Sequence, residues 1–307
     1  MFLVAIGVCD NAEIIKADIY RQLDEAKKDG IDVVIDDYYA GDALFVRCGI
    51  RDKLLNILTE KKAYEELKYT LSKALTEVII SHYELKLLRK LAKANFFYLS
   101  ERERASVIGN ALKLLKEEKM MQPGGFYKAT RRSRIMRSIL EYLDVENEIN
   151  IEGFVNFRLN AYINELNETI ERALEIFVAE REYNEFIKLL RYFVEIQECK
   201  IDTIHLCQSK DGRYIMYDES RNRVSSEYFD ELRSEMLDES INYDDLLIST
   251  LITISPNKII IHDMESFKNK ELLQTIMNVF AERITVCNKC DLCSSQAEGK
   301  ETNKYSL

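Results

Sequence analysis

Residues 151–194 read IEGFVNFRLNAYINELNETIERALEIFVAEREYNEFIKLLRYFV, and this stretch decides the fold class. Phe154, Phe157, Tyr162, Leu166, Ile170, Leu174 and Phe177 recur mostly three or four residues apart, with Asn160, Asn164, Glu168 and Glu175 between them. That period gathers the apolar side chains on one face of a helix. A second stripe, Tyr183, Phe186, Ile187, Leu190 and Val194, follows with its own polar face, so the spacing predicts a pair of helices. Each large side chain buried there stabilises the fold by roughly 1.5–3 kcal/mol relative to exposure, and Phe154 and Phe186 are the expected anchors. This is the pattern of a scaffold and not of a catalytic site.

The same economy of breakers extends along the chain. Two prolines and ten glycines in 307 residues favour long helices, and 47% hydrophobic with 31% charged residues suffice for a buried core. At the amino terminus, MFLVAIGVCD is too short to span a membrane and lacks the basic flank of a secretory signal, so Phe2–Val8 reads as a buried strand. Asn11 then precedes a helix to about Lys28, stopped by Gly30, and DVVIDD and ALFVRCGI read as two further strands. Residues 1–50 thus form a small α/β unit, whose open sheet face needs helices to cover it.

Residues 51–198 are expected to supply those helices: a short one at Arg51–Leu58, a long one from Lys62 to Phe97 that includes His82, and one from the Ser100-Glu101-Arg102-Glu103 capping box to Met120. After the break at Gln122–Gly125 another begins near Thr130 and ends at Leu143, and DVENEIN links it to the stretch at 151. Charge is uneven here. Between Lys86 and Arg137 stand fourteen Lys and Arg against four Glu and no Asp, in a chain whose formal charge is −10. A clustered positive field of this kind suits nucleic acid or an acidic partner, with Arg131, Arg132, Arg134 and Arg137 as the sharpest exposed face. The plainer alternative is solvated helix faces, or basic helices packed on acidic ones of the same chain. No helix-turn-helix, KH, RNP or zinc-finger pattern supports the nucleic-acid reading.

Beyond Gln197 the period changes. DTIHLC and RYIMYD around a Gly212 turn read as a β-hairpin, followed by short helices near Glu227–Leu237 and Tyr243–Thr253. KIIIHD, then a helix over Met264–Phe280, then RITVC has the lengths of a right-handed βαβ crossover with parallel strands. Parallel strands share one carboxyl edge, so His262 and Cys287 are delivered to the same place. There the run CNKCDLC sets Cys287, Cys290 and Cys293 at C-x2-C-x2-C spacing, which lets thiolates converge on one ion or cluster. Three thiolates need a fourth ligand, and His262 and Cys207 are the candidates for closing a zinc or iron–sulfur site. The alternative is three reduced thiols beside a polar, turn-rich tail at 294–307, expected to be disordered. Seven cysteines without an export signal fit a reducing cytoplasm, with Cys9 and Cys48 as small core residues.

The runs IEGFVNFRL (Ile151–Leu159) and EYNEFIKLLRYFV (Glu182–Val194), with IHLC and ITVCNKCDLC after them, resemble the sporulation protein YtxC family from about residue 60 to Cys293. The resemblance implies an endospore-forming bacterial setting and no mechanism, and it carries over no catalytic residue; protein partners are expected separately. No paired carboxylates, Ser-His-Asp order, P-loop, G-x-G-x-x-G or H-E-x-x-H pattern appears. The expected architecture is α+β: a small amino-terminal α/β unit, a predominantly helical middle, and a mixed-sheet region over 199–293. The expected function is that of a cytoplasmic, non-enzymatic interaction or regulatory factor, with metal or nucleic-acid binding as alternatives.

Overall fold

A computed structural model describes residues 2–28, 33–50, 57–117, 131–209, 212–224, 243–287 and 290–293. The expected helices at Arg51–Leu58 and Glu227–Leu237, the Gln122–Gly125 break and the 294–307 tail lie wholly or largely outside these residues. The architecture is α+β, with two four-stranded mixed sheets and long helices. The chain divides into two compact units, Met1–Val178 and Ala179–Leu307. The helices following residue 57 make up the predominantly helical middle and bury their apolar faces in the same core as the amino-terminal sheet.

In the first unit, β1 (Phe2–Val8), β2 (Val33–Ala40) and β3 (Ala43–Ile50) form an antiparallel set. β4 (Glu148–Asn150) adds itself parallel to β1 and completes the order β2-β3-β1-β4. DVENEIN was read as a link, and a three-residue strand is too short to show a period of two. Asn11, at a left-handed φ of 52°, turns the chain from β1 into α1 (Ala12–Lys28), whose Ile15, Ile19 and Leu23 are fully buried. Of the two cysteines expected inside, Cys48 is buried and Cys9, one residue past β1, is exposed.

The long middle helix is present as α2 (Ile57–Val78), a π-helical turn at Ile79–Tyr83, and α3 (Glu84–Asn95). On that turn His82 Nε2 lies 2.6 Å from an Asp18 oxygen, a bond that ties the helix to α1. The capping box opens α4 (Glu101–Glu117) in both directions: Ser100 N–H donates to Glu103 at 2.8 Å, and Glu103 N–H donates to the Ser100 hydroxyl at 3.3 Å. α5 (Arg131–Leu143) turns Ile135, Ile139 and Leu143 inward.

The stretch at 151–194 is organised differently from two helices of similar length. α6 (Ile151–Phe157) is short, and α7 (Asn160–Ile196) continues for 37 residues. The break lies at Arg158–Leu159, because VAERE at 178–182 contains neither Gly nor Pro to interrupt a helix. Phe154, Tyr162, Leu166 and Ile170 are buried in the first core, whereas Ile187 and Val194 belong to the second. Phe157, Phe186 and Tyr183 are the exceptions, at 76%, 52% and 38% exposed. Phe154→Ala should therefore destabilise the first unit by about 3–5 kcal/mol, while Phe186→Ala should change stability by less than about 1 kcal/mol. Denaturant melts of the two variants check the contrast.

The second unit holds the hairpin β5 (Thr203–Gln208) and β6 (Tyr214–Tyr217), then α8 (Tyr243–Ile254), β7 (Lys258–Ile261), α9 (Lys270–Phe280) and β8 (Ile284–Val286). The sheet order is β6-β5-β7-β8, with β5, β7 and β8 parallel. The expected β7-α9-β8 crossover is present. Its helix starts later than Met264 because Met264–Ser266 is a single 3-10 turn, after which Asn269 caps α9 by accepting from the Glu271 and Leu272 amides at 3.0 Å.

Candidate metal centre

Register fixes the site. Leu206 pairs with Ile261 and Ile261 with Val286, so His262 and Cys287 stand just past the ends of β7 and β8, side by side with Cys207 near the end of β5. The ladder reaches these residues: His262 N–H donates to Leu206 O and Cys287 N–H to Ile261 O, each at 2.9 Å. Asp263, at a left-handed φ of 47°, turns the chain away immediately after His262. Cys290 and Cys293 return to the same edge, the latter at the end of a helical turn over 291–293.

Four ligand atoms converge there. His262 Nδ1 is 3.3 Å from Cys290 Sγ and 3.4 Å from Cys293 Sγ, and Cys293 Sγ is 3.8 Å from Cys287 Sγ and 3.9 Å from Cys290 Sγ. All four lie within 4.8 Å of one another. Zinc–sulfur bonds of about 2.3 Å and zinc–nitrogen bonds of about 2.0 Å at tetrahedral angles require donor separations of roughly 3.5–3.8 Å. The short separations already match, and any wider pair needs about 1 Å of closure. His262 is 3% exposed and the three cysteines are half-buried, a donor set of Cys3His character with one buried and three accessible members.

The protonation states favour ligation. Burial holds His262 below the ordinary histidine range, helped by His205 and the positive charge of Arg221, so the imidazole is neutral near pH 7. Partial burial beside the other two thiols pushes Cys287 up to about 11. Cys290 goes the other way: burial alone would raise it, but the Cys293 and Leu292 amides and the Cys287 thiol donate to it and hold it below the usual cysteine range. Cys290 thus yields its proton to a cation more readily than Cys287, which must also give up its own on binding.

His205 is the residue that motif reading missed. Its Nδ1 is 2.9 Å from His262 Nε2, and the two rings are stacked with centroids 5.1 Å apart. With His262 Nδ1 ligating a cation, its Nε2 would carry the proton and donate to His205 Nδ1. A ligating imidazole held by its far nitrogen in this way has its tautomer and plane fixed. The signal was present in the sequence as two histidines near the carboxyl ends of adjacent parallel strands, IHLC and IIIHD. Cys207 is not one of the four converging residues. It is buried beside His262 in register, but His262 presents Nδ1 to the chain after β8, and His205 occupies its other edge.

The arginine cluster has a different fate. Arg131 Nε lies 3.1 Å from Glu84 Oε2 with both side chains 9% exposed, and the same carboxylate oxygen accepts from Tyr162 OH at 2.8 Å. Arg132 pairs with Glu77, and Arg134 with Glu165 at 3.0 Å. Arg137 is exposed. An open basic face of four arginines was expected: Arg132, Arg134 and Arg137 are exposed, the first two while paired at the surface with acids of the same unit, whereas Arg131 is enclosed with Glu84.

No helix among the described residues is long and apolar enough to cross a membrane. No solved structure matches the chain. A relative named "Uncharacterized protein YtxC", from Bacillus subtilis (strain 168), is 24% identical over 196 residues, covering 63% of this chain and 68% of that protein. The YtxC-like family matches residues 69–285, a span that contains His205 and His262 and stops two residues before Cys287. The thiol cluster therefore rests on its own geometry. With more than two thirds of its length matched, from the middle of α2 to β8, the chain belongs to the YtxC-like family.

Proposed function

We propose that this protein is a zinc-clipped, non-enzymatic interaction factor acting in the cytoplasm of sporulating cells. The observation that carries the metal assignment is the convergence of His262 Nδ1 with the sulfurs of Cys287, Cys290 and Cys293. Four protein donors fill a tetrahedral zinc and leave no open position for water or substrate, which is the arrangement of a structural and not a hydrolytic site. The clip joins Cys287, Cys290 and Cys293 to His262 at the end of β7, at the carboxyl edge of the second sheet. The sporulation setting rests on the family resemblance, and the interaction role on the scaffold pattern of the helical stretch at 151–194.

Titrating the reduced, metal-free chain with zinc against a chromophoric chelator tests the assignment. One equivalent should bind, and Cys290→Ser should abolish that binding. Affinity purification from sporulating cells of the wild type and of Cys290→Ser tests the role: a partner held by the first and lost by the second supports it. Binding no tighter than that of a chain lacking all three thiols overturns the metal reading.

His205 should act as a positioning residue for the same site. His205→Phe keeps a ring against His262 and removes the acceptor, so zinc affinity should fall by roughly 10–100-fold while the zinc stoichiometry stays at one. Competition titration reads the affinity. An unchanged dissociation constant refutes the role without touching the four-ligand site.

A further inference from the structure

We propose that a second copy of this chain docks on the outer face of the carboxyl-terminal half of α7, forming an antiparallel two-fold pair. Ile187 and Val194 fix one face of this half-helix in the second core. On another face Phe186, Leu189, Phe193 and Ile196 follow one another at spacings of three, four and three residues, with Tyr192 beside them, and these five are between 40% and 57% exposed. Alternating threes and fours is the seam by which one helix packs along another. Residues of this size leave on the order of 500 Å² uncovered, toward the upper end of what a monomer exposes in one patch. Used once by each partner, such a face buries on the order of 1,000 Å², the lower limit of a specific interface.

The stripe is self-complementary in one direction. With the two-fold axis at position 191, Phe186 of one copy lies against Ile196 of the other and Leu189 against Phe193, so each aromatic ring meets an aliphatic chain. Parallel pairing would stack Phe186 on Phe186 and bring Glu182 and Glu185 against their own counterparts, and it would align the two helix dipoles. The same two glutamates at the head of the stripe disfavour an anionic membrane as its occupant.

Sedimentation velocity on the full chain with its metal, over about 1–100 µM, is the test. Wild type should shift from monomer to dimer across that range. Phe186→Glu and Ile196→Lys should each remain monomeric, because each introduces a charge opposite an apolar side chain at both ends of the seam. Phe186→Glu combined with Ile196→Lys should recover the dimer to within about tenfold in dissociation constant, since the antiparallel register sets each new carboxylate against a new ammonium. Both substituted residues are more than half exposed, and an unchanged thermal melt of each variant confirms that it folds. A wild type that stays monomeric throughout, single variants that dimerise like wild type, or a double variant as monomeric as the singles overturns the proposal.

Discussion

Cys293→Ser should cost the second unit roughly 15 °C of its melting temperature, and a strong chelator should reproduce that loss in the wild type. Cys293 Sγ is the hub of the cluster, 3.4 Å from His262 Nδ1, 3.8 Å from Cys287 Sγ and 3.9 Å from Cys290 Sγ. Serine keeps the size and removes the thiolate. Zinc at a thousandfold excess over its dissociation constant stabilises the folded state by about 4 kcal/mol through linkage alone. A unit of this size moves by roughly 4 °C for each kcal/mol, which gives the expected shift. The loss should be confined to the second unit, because the first core shares no residue with the site. Differential scanning calorimetry with and without chelator makes the measurement, and superimposable traces would count against a structural metal.

Glu84→Gln should destabilise the first unit by about 3–5 kcal/mol, although it alters a single atom type. The Glu84 carboxylate receives both Arg131 and the phenol of Tyr162 in a site where both charged side chains are 9% exposed. Burial, reinforced by Glu84, drives the Tyr162 pKa far above its ordinary value, so the phenol remains a donor throughout. Glutamine leaves the guanidinium buried without its counter-charge, which is the costly way to break such a pair. Pairing Glu84→Gln with Arg131→Met should restore most of the stability, since no buried charge is then left without its counter-charge and the neutral glutamine amide can still accept from Tyr162. Urea denaturation of the single and double variants checks this; equal midpoints for wild type and Glu84→Gln would mean that Arg131 is solvated.

Most of the strand and helix layout was legible because it follows from local period and punctuation. The capping box at Ser100–Glu103, the βαβ lengths around α9 and the alternation of the hairpin each signal their own geometry within a few residues. The departures arise where a partner decides. Phe186 and Ile187 look alike on a helical wheel, and only the position of the second sheet determines that Ile187 enters the core. Likewise α5 reads as a basic helix until Glu84, Glu77 and Glu165 arrive from α3, α2 and α7. In the site, the C-x2-C-x2-C spacing and the crossover pointed to His262 and the three thiols. Choosing between His262 and Cys207 depended on the direction of one imidazole, which His205 controls from across the sheet.

X-ray absorption at the zinc edge, on anaerobically purified full-length chain, tests the central claim most directly. Three sulfurs at about 2.3 Å and one nitrogen at about 2.0 Å are expected, with the nitrogen shell lost in His262→Ala. A four-sulfur shell would place Cys207 where His262 is assigned, an all-oxygen or nitrogen shell would remove the thiols from the site, and an iron edge with metal–metal scattering would replace the zinc clip by a cluster.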